Sequence, residues 1–465
     1  MQHTLFLDTD IGATPIDIVH ELSFKEWLDV QSDFLIQWLK SNHFHARHGE
    51  TCLVPDKMGN LEKIIVGFSK SDFWLGGGIL RKVPTGSYYL DTIITTNKNI
   101  DIKKLRENFC ISWCLGSYSF TRYKSRSCEE VSKIFYPEGI DKKNATKLVE
   151  SSFITRDLIN TPTEDLSPSK LADYCKGFAK KYNAEFRTIK GKELIKDNFP
   201  AIHAVGRASK NEPYLIEMCK GESNKPKLTL VGKGVCFDSG GLDLKSSSGM
   251  RLMKKDMGGA ANVIGLANWI LGLDLPIRIK VLIPAVENMI SSNSFKPGDI
   301  ITTRKGISVE IGNTDAEGRL ILADALAYAC EDKPDLLIDC ATLTGSARSA
   351  LGPDIPALFS NSDFLAQELT AHGKEVNDPI WCLPLWKDYL RLIQSKIADI
   401  NNSGTSSFAG AITAALFLES FVDKNINWIH LDMYCWNNED RPGRPLGGES
   451  QGQRALFDFI SNKLC

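Results

Sequence analysis

The 465-residue sequence has no apolar run long enough to cross a bilayer: the longest nearly apolar stretch, residues 409–418, falls far short of the ~20 residues a helical span needs. Its amino end has neither a basic leader nor an unbroken apolar segment, because Asp8 and Asp10 interrupt the place where one would run. No export is expected, and the chain is expected in the cytoplasm. Charge imbalance is missing too. A formal net charge of -2 gives no overall pull toward nucleic acid or anionic lipid, so neither is expected as a partner. Internal repeats and low-complexity segments are absent. The twelve cysteines are scattered, and Cys110 and Cys114 have no second pair nearby to complete a zinc knuckle, so reduced thiols are expected. Histidine is scarce at eight, and no His-Glu-x-x-His occurs, which excludes the one-zinc site such a helix carries. His43, His45 and His48 cluster without partner carboxylates and read as surface residues.

What is present is an ordinary globular composition, 43% hydrophobic and 24% charged, in a chain long enough for two or three domains. Residues 34–39 have helical spacing, 64–68 read as a strand, and Gly76-Gly77-Gly78 reads as a turn or break. The texture changes over 150–165, where Pro162 stops a helix and Ser167-Pro168 opens another. The expectation is a smaller N-terminal α/β domain over 1–155, its role unread, and a second domain over 156–465. In the second, strands at 228–231, 277–283 and 336–339 alternate with helices at 258–271 and 320–330. That pattern predicts an α/β fold, a central mixed sheet flanked by helices, with ligands beyond the carboxyl ends of strands.

Three segments put carboxylates beside glycines at such strand ends. They are Gly-Lys-Gly-Val-Cys-Phe-Asp-Ser-Gly-Gly-Leu-Asp-Leu-Lys at 232–245, Lys-Lys-Asp-Met-Gly-Gly-Ala-Ala at 254–261 and Gly-Asn-Thr-Asp-Ala-Glu-Gly-Arg-Leu at 312–320. Asp315 and Glu317, two apart, can point to one side. Clustered carboxylates repel unless cations neutralise them, and one or two divalent metals would do so. Glycine-flanked acids also make turns and helix caps, so each segment taken singly is a weak signal. The glycine- and lysine-rich start at 232–234 fits neither phosphate-binding loop pattern.

Together the segments resemble the leucyl aminopeptidase (cytosol aminopeptidase) family, over roughly 155–435. The eight residues Asn-Thr-Asp-Ala-Glu-Gly-Arg-Leu stand intact at 313–320, with supporting matches at 156–162, 205–209 and 341–345. The resemblance implies a metalloprotease of the exopeptidase kind, a hydrolase removing the N-terminal residue of peptides through a metal-bridging hydroxide. It implies Lys233, Asp238, Asp256, Asp315 and Glu317 as ligands of two divalent ions, zinc or manganese with magnesium as a third candidate, bridged by Asp238 and Glu317. Lys245 would stabilise the oxyanion, and Arg319 would hold a bicarbonate that relays protons. Met253, Thr342 and Gly345 would line the substrate pocket, peptides with a free N-terminus would be the partners, and the assembly would be a homohexamer. The alternative is the same enzyme with an additional DNA-binding regulatory role.

The sequence departs from the family after the strand at 428–433, where Tyr434-Cys435-Trp436-Asn437 replaces the small residues common there. The resemblance therefore carries over no preference for leucine.

Overall fold

Runs of buried β-branched and aliphatic residues decide where the strands fall in this computed structural model, which describes residues 6–7, 9–125, 131–137 and 139–465. The chain forms two compact units, one of residues 1–149 with 438–446, the other of 150–437 with 447–465. Cys128 lies outside the described residues, and the other eleven cysteines are free thiols. No described helix is long and apolar enough to cross a membrane.

The first unit holds a six-stranded sheet in the order Phe6–Leu7, Lys133–Phe135, Ser87–Ile94, Thr14–His20, Leu61–Phe68, Thr51–Pro55. Helix Asp33–Ser41 buries Leu35 and Leu39 against Val19, Val54 and Ile65 of this sheet. Gly76, Gly77 and Gly78 are not a break: they lie inside the short helix Leu75–Ile79. A Cβ on Gly76 would stand 2.0 Å from the Phe109 carbonyl oxygen on helix Ile102–Gly116. Close helix–helix approach, rather than chain reversal, is why glycine sits there.

The second unit is built on nine strands: Glu185–Lys190 (β1), Tyr214–Lys220 (β2), Lys227–Gly232 (β3), Gly234–Asp238 (β4), Arg278–Asn288 (β5), Leu336–Ala341 (β6), Ala357–Ser360 (β7), Trp381–Cys382 (β8) and Trp428–Asp432 (β9). Their order is β8-β7-β9-β6-β3-β5-β2-β1, with β4 paired to the far end of β5. The centre, β9-β6-β3-β5, is parallel, and antiparallel strands join at both sides. The sheet is therefore mixed. The central strands are buried along their length, as parallel strands covered on both faces must be.

Helix Lys142–Asn160 ends just before Pro162, and helix Pro168–Tyr182 starts with proline at its first turn, although Ser167 caps it without a side-chain hydrogen bond. Two further helices matter for function, Gly258–Gly272 (α1) and Glu317–Glu331 (α2). Gly232 of β3 faces α1, where a Cβ would meet Ala260 Cα at 2.6 Å. Its neighbour Val231 joins the apolar core with Leu320, Ile321 and Ala325 of α2. Successive strand residues point to opposite faces, so α1 and α2 sandwich the sheet.

Candidate active site

Lys233 follows β3, Asp238 ends β4, Asp256 lies in the turn Met253–Met257 leading into α1, and Glu317 opens α2. Each is thus at or just beyond the carboxyl end of a parallel strand or at the helix start that the strand feeds. The turn reaches that edge because two glycines remove steric bulk. A Cβ on Gly259 would stand 2.0 Å from the Cys340 carbonyl oxygen, and Gly232 meets Ala260 as described. Replacing either would push Asp256 away from the sheet.

Asp238, Asp315 and Glu317 each present an oxygen within 4.8 Å of the others'. Lys233 Nζ sits 2.8 Å from Asp256 Oδ2 and 3.0 Å from Glu317 Oε1, and donates to the Thr342 carbonyl at 2.8 Å. Lys245 Nζ lies 2.8 Å from Asp238 Oδ2 and 2.5 Å from Asp315 Oδ1. Burial disfavours charge on both lysines, yet the surrounding carboxylates outweigh it and raise both ammonium groups above the usual lysine range. Burial, reinforced by Asp238, raises Asp315 to about 6 and pushes Glu317 well above its ordinary value.

The remaining contacts fix these oxygens in place. Asn288 Nδ2 donates to Asp238 Oδ1 at 2.9 Å, and Thr342 Oγ1 donates to Asp256 Oδ1 at 2.8 Å. Asp243 accepts the Thr314 backbone N–H at 2.7 Å, and Asn402 braces the same turn through Gly312 N, Asn313 N and Asn313 O. Sequence reasoning missed Asn288 and Asn402. Asn288 ends a long buried strand, where a lone amide is a usable signal, whereas nothing around Asn402 marks it.

Asp256 Oδ2, Asp315 Oδ1 and Glu317 Oε1 are buried and accept no aligned hydrogen bond; only lysine ammonium groups face them. Four carboxylates share two lysines. The oxygen-rich set plus an amine nitrogen fits hard or borderline divalent cations such as manganese, zinc or magnesium. Arg319 is buried, donates to the Asn402 carbonyl at 2.7 Å and leaves Nε without a partner. Burial pulls its guanidinium down to about 10 against the opposing effect of Glu317. An unspent buried cation of this kind fits a small anion such as bicarbonate.

Met253, Thr342 and Gly345 line one cavity of about 610 Å³ with Lys233, Asp238, Lys245, Asp256, Asp315 and Glu317. Tyr434 also lines it, but Trp436 stands in a short hairpin pairing with Gly448, 5.7 Å beneath Lys254. His43 and His45 are exposed, and His48 pairs with Asp72 at 3.0 Å.

Fold and site define a class of α/β protein that gathers carboxylates and lysines at the ends of parallel strands. Residues 153–457 match the catalytic domain of the cytosol aminopeptidase family, and residues 14–137 match the N-terminal domain of M17 aminopeptidases. A probable cytosol aminopeptidase of Chlamydia caviae is 35% identical over 91% of this chain and 90% of its own. A crystal structure of a cytosol aminopeptidase from Coxiella burnetii superposes with a TM-score of 0.94 at 44% identity, covering 100% of both chains. The bottromycin maturation enzyme BotP, solved in complex with Mn, gives 0.87 at 29% identity over 97% of this chain and 99% of its own. The chain belongs to the cytosol aminopeptidase family, and it is an aminopeptidase, a hydrolase of peptides.

Proposed function

We propose that the chain removes the N-terminal residue of peptides with two divalent ions bound by Lys233, Asp238, Asp256, Asp315 and Glu317. The observation that supports this is the charge deficit of the cluster: four converging carboxylates against two lysines, with three buried oxygens lacking an aligned donor. Asp238, Asp315 and Glu317 are close enough to share one ion, and Asp256 with Lys233, whose proton a bound ion would displace, extend the set to a second. When bound, such ions supply Lewis-acid polarisation of the scissile carbonyl and an activated water near neutral pH.

The chain's own residues do the rest. Thr342 and Asn288 hold Asp256 and Asp238 in orientation. Lys245, its side chain 16% exposed against 3% for Lys233, donates to the oxyanion as the carbonyl is attacked. Arg319 would hold a bicarbonate, which when bound would supply proton transfer toward the leaving amine. The chain would assemble as the homohexamer the family resemblance implies, and Phe408 at 80%, Ile397 at 63% and Trp386 at 55% exposure are apolar surface such an assembly would cover.

The experiment compares peptides with free and acetylated N-termini. The reading expects cleavage of the free series alone, since an amide nitrogen offers no lone pair to a metal. Equal turnover of both would remove the exopeptidase assignment.

A further inference from the structure

The cavity wall also carries a group that none of the roles above employs. Lys255 Nζ lies 4.5 Å from the centroid of the Tyr434 ring, and Arg348 Cζ lies 4.9 Å from the same ring. All three residues line the cavity. Lys255 is only 4% exposed, and although it feels the charge of the adjacent Asp256, neither cation forms an ion pair with a carboxylate among the described residues. Asp432, which also lines the cavity, is committed elsewhere: it accepts Leu343 N at 3.0 Å, Thr344 N at 3.1 Å and Thr344 Oγ1 at 2.6 Å.

The backbone builds this wall deliberately. Cys435 sits at φ +57°, a left-handed conformation that costs a non-glycine residue free energy. The side-chain oxygen of Gln451 accepts both the Tyr434 and the Cys435 N–H, at 3.0 and 2.8 Å, which locks the turn that presents the ring. Gly345 leaves the space beside it open, since a Cβ there would approach nothing nearer than Arg348 Nη2 at 3.8 Å. Two cations against one ring gain cation–π attraction yet repel each other, and neither is paired with a carboxylate that would offset this.

We propose that Lys255 and Arg348, flanking Tyr434, bind a carboxylate of the substrate, namely the side chain of an N-terminal glutamate or aspartate. The inference rests on the aminopeptidase reading above and assigns that site its substrate class. The binding energy comes from charge-assisted hydrogen bonds that an uncharged isostere cannot make equally well.

The test measures kcat/KM of the metal-loaded enzyme on glutamyl, glutaminyl and leucyl amides of aminomethylcoumarin, none of which carries another carboxylate. Glutamyl should exceed glutaminyl by about ten-fold or more. Arg348→Glu, a change at an exposed position, should bring that ratio below one, and Lys255→Met should reduce it with most of the change in KM. A wild-type ratio at or below one, or a ratio unmoved by both substitutions, overturns the inference. If the carboxylate effect instead appears only when dipeptides are compared with their C-terminal amides, the cations read the leaving side and the assignment to the N-terminal side chain is overturned. Cleavage of the leucyl amide in any such case leaves the aminopeptidase reading standing. No cleavage of any amide removes both.

Discussion

Gly318 lies against Lys233: a Cβ added there would come within 2.4 Å of Lys233 Cε and 2.7 Å of its Nζ. The lysine has nowhere to go, because Asp256, Glu317 and the Thr342 carbonyl hold its nitrogen from other sides. One glycine in the stretch 313–320 thus sets the position of a residue some eighty positions earlier in the chain.

Gly318→Ala should therefore lower kcat/KM by about 10-fold or more, as a roughly 1 Å displacement of a positioning group does. Metal content measured by elemental analysis should fall with it. Unchanged metal content together with unchanged kcat/KM would show that Lys233 does not depend on this contact.

Lys245→Ala should lower kcat by roughly 10²–10³-fold, the cost of one lost oxyanion donor, with little change in KM. Metal content should stay at the wild-type level. Steady-state kinetics beside elemental analysis separates this outcome from a general loss of the site.

Asp339 Oδ1 lies 2.6 Å from His430 Nδ1, and its other oxygen accepts Trp428 Nε1 at 2.8 Å, all within the buried sheet. Burial lowers the affinity of His430 for its proton, but Asp339 outweighs this and raises it above the usual value. A histidine raised in the folded state contributes stability that is fully present below its unfolded pKa of about 6.5 and is lost as pH rises through the folded value. Asp339→Asn should destabilise by about 3–5 kcal/mol at low pH, as breaking a buried pair does. The gap to wild type in thermal melts should narrow as pH is raised. A gap that widens with pH would contradict the assigned charge state.

Much of this was legible in advance, for reasons that are local. Strands β3, β5 and β6 are mostly apolar segments, and α1 and α2 carry glycine in their first turns, so the alternation survives in the sequence. The acids at 238, 256, 315 and 317 are flanked by glycines whose purpose is close approach, which is itself a pattern. The helix containing Gly76–Gly78 was not legible, because glycine as a turn former and glycine as a packing contact look identical until Phe109 is placed beside it. The cationic wall escaped for a similar reason. Lys255 and Arg348 are 93 positions apart in numbering, and only the ring of Tyr434 brings them to one surface.

Light scattering in moderate salt should give six times the mass of one chain if the exposed Phe408, Ile397 and Trp386 are covered on assembly. A concentration-independent monomer that hydrolyses peptides at full rate would exclude the hexamer from the account.

The most direct measurement is hydrolysis of an N-terminally free peptide before and after complete metal removal, with metal content followed by elemental analysis. The account predicts that a strong chelator abolishes turnover, that manganese or zinc restores it, and that Glu317→Ala binds fewer ions and regains no activity on their addition. Full turnover by a preparation shown to hold no metal would contradict it.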